Sequence, residues 1–475
     1  MSVITCAPQK HDSVIILYDR PPRTLDPHLR SEIVTLSILC NVYECLVDYD
    51  PHLKLVPKLA ENWTMLDSLT WEIALRKGVK FHNQKPLTEQ DVIYSLYRVF
   101  KLPGSEMKDL RMIVDTVTGS NGTILIKTRF PYYYLMNHLT NLAIVPDNFS
   151  DFENKPTGSG PYRVLNIYRD SIVCAVNQDY WDKAPKIKKG IFKFVPELSE
   201  RIRLIKNNQA DIAYGLPLEV IQSLGDSLKI LLAPSVVARQ LEYNLNKFPF
   251  NILQFRQALN LAIDRAGLVR ELYKNNALPA NQYIPMGFIG YAVDFPPLFY
   301  NPTEAQKLIK NLIPKISIKF AYAQSVEAVG KFIAKNLRDI GIGVYELALS
   351  SEEYWKGIEE GTLDCYLISY INTSLDGFNS TIINSFHSHC PEKGMGLMNL
   401  NGYSNYMVDS LINKVIKTPD PDTRLRYIRE IQKQLLADLP SIPVVWEPRV
   451  YGVSRNIKWH PRLDQQIRLA EIEYK

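Results

Sequence analysis

Three side chains able to ligate a metal ion fall within one short run, FHSHC, at His387, His389 and Cys390. Alternate residues of an extended strand share a face, so the two imidazoles could reach one ion. A closed zinc site still needs a fourth donor, and the eight His and six Cys supply no C-x-x-C pair and no H-E-x-x-H run. Other catalytic signatures are missing from the sequence as well. There is no G-K-[ST] phosphate loop and no G-x-S-x-G elbow, and the GSG at Gly158–Gly160 is too short for a dinucleotide fingerprint and reads as a turn. The acidic pairs Glu352-Glu353 and Glu359-Glu360 read as solvated helix faces. With no constellation that could break a bond, the chain reads as a non-enzyme that uses no cofactor and no metal. A metal-dependent hydrolase built on His387 and His389 is the distant alternative.

Chemistry of binding is better represented. The stretch CYLISYINTSLDGFN, Cys365 to Asn379, opens as a buried strand and empties into Asn372, Thr373, Ser374 and Asp376, with Gly377 to turn the chain. A strand that ends in a cluster of hydrogen-bonding groups meets either solvent or a ligand. Aromatic residues make up 11% of the chain and 27 of them are Tyr, a residue whose ring stacks while its hydroxyl bonds. Amphipathic strand faces would account for many of these tyrosines equally well.

The elements that must carry these groups are α/β throughout. Val14 to Tyr18 reads as a strand before Pro21-Pro22, with a helix expected over Glu32–Leu46. Trp71–Leu75 alternates as a strand, and Thr88 with Asp91 three residues on marks a helix start. LSERIRLIKNNQADIAYGLP gives a helix and a short strand, and one helix is expected from Phe255 to Tyr273. KISIKFAYA, a helix over Val326–Ile340 and IGVYELALS form a βαβ unit that repeats into the strand Asp364–Tyr370. No internal repeat appears.

Length and composition set the frame. A chain of 475 residues is too long for one core, so two or three domains are expected. Hydrophobic residues at 46% and charged residues at 22% are ordinary for a globular protein. The net charge of +5 arises from 55 basic and 50 acidic residues mixed along the chain, which gives no nucleic-acid footprint. No apolar run reaches the roughly 20 residues of a membrane span. MSVITCAPQK places Cys6 after a short apolar stretch, as at the end of a lipoprotein signal whose charged and long hydrophobic regions are missing. Cys40 and Cys45 lie five apart in the expected helix, on different faces, so no disulfide is expected between them.

Six phrases in order make the chain recognisable. TLDPH with the block NVYECLVDYD through SLYRV, then TGSGPYRV, LEYNLNKFPFNILQFRQALNLAIDR, YNPTEAQKLI, GYSNYMVDSLINK and LPSIPVVWEPRVYGVS together resemble the extracytoplasmic solute-binding proteins of ABC importers, family 5, the oligopeptide, dipeptide and nickel receptors. The resemblance implies a two-lobed periplasmic-binding-protein-like fold of the large class, with an extra inserted subdomain and two hinge strands. Residues 1–10 would be an N-terminal segment. Residues 11–40, 157–238 and 450–475 would form the core of the first lobe, 41–156 its inserted subdomain, and 239–449 the second lobe. RQLEYNL and EPRVYG would be the strands that bend as the lobes close on ligand. The implied function is capture of an oligopeptide or dipeptide and its delivery to the membrane subunits of an ABC permease, by a monomer in the periplasm or cell envelope, with Cys6 as a lipid attachment point. A receptor of the same fold for a nickel chelate, haem or a modified or sugar peptide is the alternative, as is a sensory or chaperone role.

The same resemblance locates a ligand set. The strand ending at Tyr370 leads into the ligand site, where peptide receptors carry a Trp-x-x-Asp pattern whose Asp pairs with the peptide ammonium. Here the positions read Tyr370, Ile371, Asn372, Thr373, so the aromatic is kept and the carboxylate is not. Losing one partner of a buried ion pair costs about 3–5 kcal/mol. Asp376 or Glu32 could restore the charge, or the cargo could lack a free amine. Arg30, Ser31, Glu32 and Ile33 are expected on the first lobe. Tyr214 and Gly215 would sit near the hinge, with Arg239 as a carboxylate partner.

Overall fold

The computed structural model describes residues 12–29, 32–50, 52–105, 107–221, 228–312, 316–371 and 375–475. Cys6, Arg30, Ser31, Asn372 and Thr373 lie outside the described residues. The chain divides into two compact units: Met1–Phe130, Leu135–Ala233 and Arg449–Lys475 form the first, and Pro131–Tyr134 with Pro234–Pro448 the second. Two long strands, Leu228–Tyr243 and Ser441–Ser454, each contribute to both units. The sequence alone places those passages at 238/239 and 449/450.

The first unit is built on parallel pairing. Ser13–Tyr18 pairs parallel with Lys189–Phe194 on one side and Ile212–Tyr214 on the other. Ile212–Tyr214 then pairs antiparallel with Tyr451–Val453. Strands Ser171–Val176 and Tyr162–Ile167 continue the far side as a meander. Alternation on both faces buries Val14, Ile16, Leu17 and Tyr18 completely, and Leu17 packs with Ile205, Ala213, Leu216 and Val450. Ala60–Met65, Thr70–Leu75, Thr123–Thr128 and Val114–Ser120 make a separate antiparallel sheet. Beside it the helix Glu89–Lys101 starts as expected: Asp91 Oδ2 accepts from the Thr88 backbone N–H at 2.7 Å and from its hydroxyl at 2.8 Å.

The helix expected over Glu32–Leu46 is shorter, Ile33–Leu39. Its continuation is prevented by the GSG segment. The Asn41 carbonyl accepts from Tyr162 N–H and the Val42 carbonyl from Gly160 N–H, so neither is available to a further helical turn. A Cβ added to Gly158 would stand 2.0 Å from the Val42 carbonyl oxygen and 2.8 Å from the Tyr43 ring. GSG is therefore more than a turn; it is a close approach of two backbones that only glycine permits. Gly158→Ala is expected to lower stability by about 1–3 kcal/mol, the usual cost of overfilling a packed site, and urea denaturation will measure it.

In the second unit Ser317–Ala323 pairs parallel with Gly343–Leu349 and with Cys365–Ile371, through the helices Glu327–Asp339 and Ser351–Glu359, as the βαβ pattern predicts. Cys365–Ile371 runs antiparallel to Val237–Tyr243. The single helix expected from Phe255 to Tyr273 is two, Leu253–Ala262 and Arg265–Glu271. Asp264 breaks it by capping the second, its carboxylate accepting from Gly267 N–H at 2.7 Å. Pro131–Tyr134, from the segment assigned by sequence to the inserted subdomain, belongs to this unit: Tyr133 N–H donates to the Ile416 carbonyl at 2.7 Å.

Candidate functional site

On the first unit, the parallel strands Ser13–Tyr18 and Ile212–Tyr214 finish side by side, which brings the rings of Tyr18 and Tyr214 to 5.1 Å. Carboxyl ends of parallel strands are where open α/β sheets take their ligands, because side chains and loops converge there above the backbone. Tyr18 is fixed by donating its hydroxyl to Ser37 Oγ at 2.7 Å. Tyr214 donates to Gln465 Oε1 at 3.1 Å and also meets the Tyr451 ring at 5.6 Å. Burial pushes the Tyr214 hydroxyl up to about 12, against the pull of the Arg449 guanidinium 5.3 Å over its ring. Gly215 follows with φ +65°, and nothing lies within 4 Å of where a Cβ would be.

Glu32 is 9% exposed and caps the helix Ile33–Leu39, accepting from Val34 N–H at 2.9 Å and Thr35 N–H at 2.8 Å. The Thr35 hydroxyl also donates to it, and Arg20 lies 3.8 Å away. Its carboxylate is thus committed to its own helix. Ile33 is buried at the first turn and faces the core.

On the second unit, Arg239 is engaged as well. Its Nη2 donates to Glu447 Oε2 at 2.7 Å, its Nε to Glu447 Oε1, and its Nη1 to Ser369 Oγ at 2.5 Å. Burial pulls this guanidinium down, and the Glu447 carboxylate more than reverses that, so its pKa lies above the usual range. The hydroxyl of Tyr370 donates to Glu242, which Tyr366 also reaches at 3.1 Å. Burial raises the pKa of Glu242, which is 3% exposed and meets two phenols rather than a cation. Asp376 is buried; it accepts from Tyr134 OH at 2.6 Å and from the N–H groups of Phe378 and Asn379 at 3.1 Å each. Neither carboxylate proposed from sequence for an ammonium is idle.

The same unit holds a cavity of about 430 Å³ lined by Arg265, Leu278, Met286, Tyr291, Phe299 and Trp446. Tyr370 packs against this wall through Trp446 and Ala280. The FHSHC segment is not a strand: His387 Nδ1 is 2.6 Å from the Ser388 carbonyl, His389 Nδ1 is 3.0 Å from the Gly396 carbonyl, and Cys390 Sγ is 2.8 Å from Glu392. Each group turns to its own neighbours. Sequence reasoning missed Arg449, Gln465 and Glu447. Arg449 stood in view inside EPRVYG, but nothing local tells which of its neighbours, sixteen or more residues away, would hold it.

This architecture is the periplasmic-binding-protein fold of the large class. The family model described as bacterial extracellular solute-binding proteins, family 5 Middle, matches residues 54–389. The glutathione-binding protein GsiB of Salmonella typhimurium strain LT2 is 26% identical over 461 residues, covering 91% of this chain and 89% of that one. Among solved structures, the periplasmic binding protein DppA from Helicobacter pylori in complex with the peptide STSA superposes with a TM-score of 0.80 at 20% identity, covering 97% of this chain and 98% of that one. The substrate-binding protein CtaP from Listeria monocytogenes does so at 0.86 and 19%, covering 98% and 100%. The chain belongs to the bacterial extracellular solute-binding proteins of family 5.

Proposed function

We propose that this protein is the receptor of an ABC importer and that its cargo is a short peptide. The observation that carries the reading is family membership over 54–389, joined to relatives named for binding glutathione across nearly their whole length. It works outside the cytoplasmic membrane as a monomer, without nucleic acid, and hands its cargo to membrane permease subunits without altering a bond. Cys6 is the proposed point of lipid attachment. The residues proposed to contact the ligand are Glu32, Ile33, Tyr214 and Gly215 of the first unit and Arg239, Tyr370 and Asp376 of the second, together with Arg30, Ser31, Asn372 and Thr373. Engagement of both units by one ligand would favour the form that a permease recognises.

The test is native mass spectrometry of the purified protein mixed with a tryptic digest of casein. One peptide bound per chain is the expected result. A protein that takes no mass from the digest would overturn the peptide reading.

A further inference from the structure

Arg449 opens the segment that returns to the first unit. Of the described arginines largely shielded from solvent, four sit in ion pairs, while Arg201 and Arg265 donate chiefly to backbone carbonyls. Arg98 pairs with Asp26, Arg239 with Glu447, Arg462 with Asp464 and Arg468 with Asp48. Arg449 is half-buried, and among the described residues it forms no ion pair. Its Nε donates to Gln465 Oε1 at 3.0 Å, its plane lies over the Tyr214 ring, and Nη1 and Nη2 have no hydrogen-bond partner among the described residues. The nearby acids do not supply one. Asp19 lies 3.8 Å from Arg20, and Glu32 caps its own helix with Arg20 also 3.8 Å away.

Gln465 is the second, independent sign of a built site. It is fully buried, it holds φ at +61°, and its Oε1 accepts from both Arg449 and Tyr214. Its amide nitrogen is buried without a hydrogen-bond partner among the described residues. A left-handed backbone at a non-glycine residue and an unsatisfied buried donor each cost on the order of 1–3 kcal/mol. Strained backbone persists only where the surrounding structure over-determines it, and it clusters at ligand clamps and active sites. What is held here is the orientation of one guanidinium, with open space beside it at Gly215.

We propose that Arg449 anchors a carboxylate of the cargo. Nη1 and Nη2 present two parallel N–H donors to its two oxygens, Gln465 sets the plane through Nε, and the Tyr214 face supports it. The cargo is then a peptide carrying a free α-carboxylate or an acidic side chain. This rests on the peptide reading above and deepens it.

The casein digest tests it in two forms, untreated and with every carboxyl converted to a methyl ester in acidic methanol. The wild-type protein is expected to capture the untreated pool about tenfold more strongly, and Arg449→Gln to lower that capture to the level of the ester pool. Sequencing the captured peptides separates the two sources: peptides lacking Asp and Glu identify the α-carboxylate, and capture confined to acidic peptides identifies the side chain. Equal capture of both pools by the wild-type protein overturns the anchor and leaves the peptide reading intact. So does a folded Arg449→Gln protein that still prefers the acids. Capture of neither pool removes the peptide reading and the anchor with it. Since the acid–ester comparison needs no substitution, it decides the matter even where the variant fails to fold.

Discussion

Glu447→Gln is expected to destabilise the second unit by about 3–5 kcal/mol, more than any other single change considered, because it leaves a buried guanidinium without its counter-charge. Arg239 and Glu447 are 11% and 13% exposed, meet through two parallel contacts, and are closed in by Ser369 and by the hydroxyl of Tyr273. An amide at 447 would keep the shape and an acceptor while removing the charge that offsets desolvation of Arg239. The double variant Arg239→Met/Glu447→Leu removes both charges at once. It should recover most of the loss, since a buried pair is often close to neutral against apolar residues of similar volume. Urea denaturation of the wild type, Arg239→Met, Glu447→Leu and the double variant gives the coupling energy. Losses that simply add would show that the two groups do not act as a pair.

The same contact explains where reading from sequence stopped. Arg239 looked like a ligand clamp because its strand enters the region named by the family resemblance and Arg suits carboxylates. Its actual carboxylate is 208 residues away. Asp376 meets Tyr134 across 242 residues. Polar partners at such separations leave no mark in local composition, so the types of the site residues were legible while their commitments were not. Local physics was far more readable. The Thr88–Asp91 box declares its helix within four residues, and the alternating apolar strands of 317–323 and 343–349 are declared by their own pattern. Failures arose where one element's hydrogen bonds were claimed by another, as when the GSG segment took the carbonyls that would have extended the helix Ile33–Leu39.

That contact carries the second large expectation: stability should fall as pH drops from 6.5 toward 4, and His82 should be responsible for up to about 3 kcal/mol of it. Its Nδ1 accepts from Gly158 N–H at 3.3 Å, and its Nε2 lies 3.0 Å from the Gly160 carbonyl, to which it donates. Only the neutral imidazole can do both. Burial pushes its pKa down from 6.5 to about 4, against the upward pull of the Gly160 carbonyl. Between those values the unfolded chain holds the proton and the folded chain does not, so stability rises with pH through the window and levels off below about 4. Glu44 and Glu242 bias the profile the other way, because burial raises their folded pKa values and protonation favours the folded state. A single profile therefore mixes opposing slopes. The difference between wild type and His82→Gln, measured by urea denaturation at intervals from pH 7 to 4, isolates the imidazole. The variant's curve should lack the acid-side decline assigned to His82, and parallel curves for the two proteins would place that decline elsewhere.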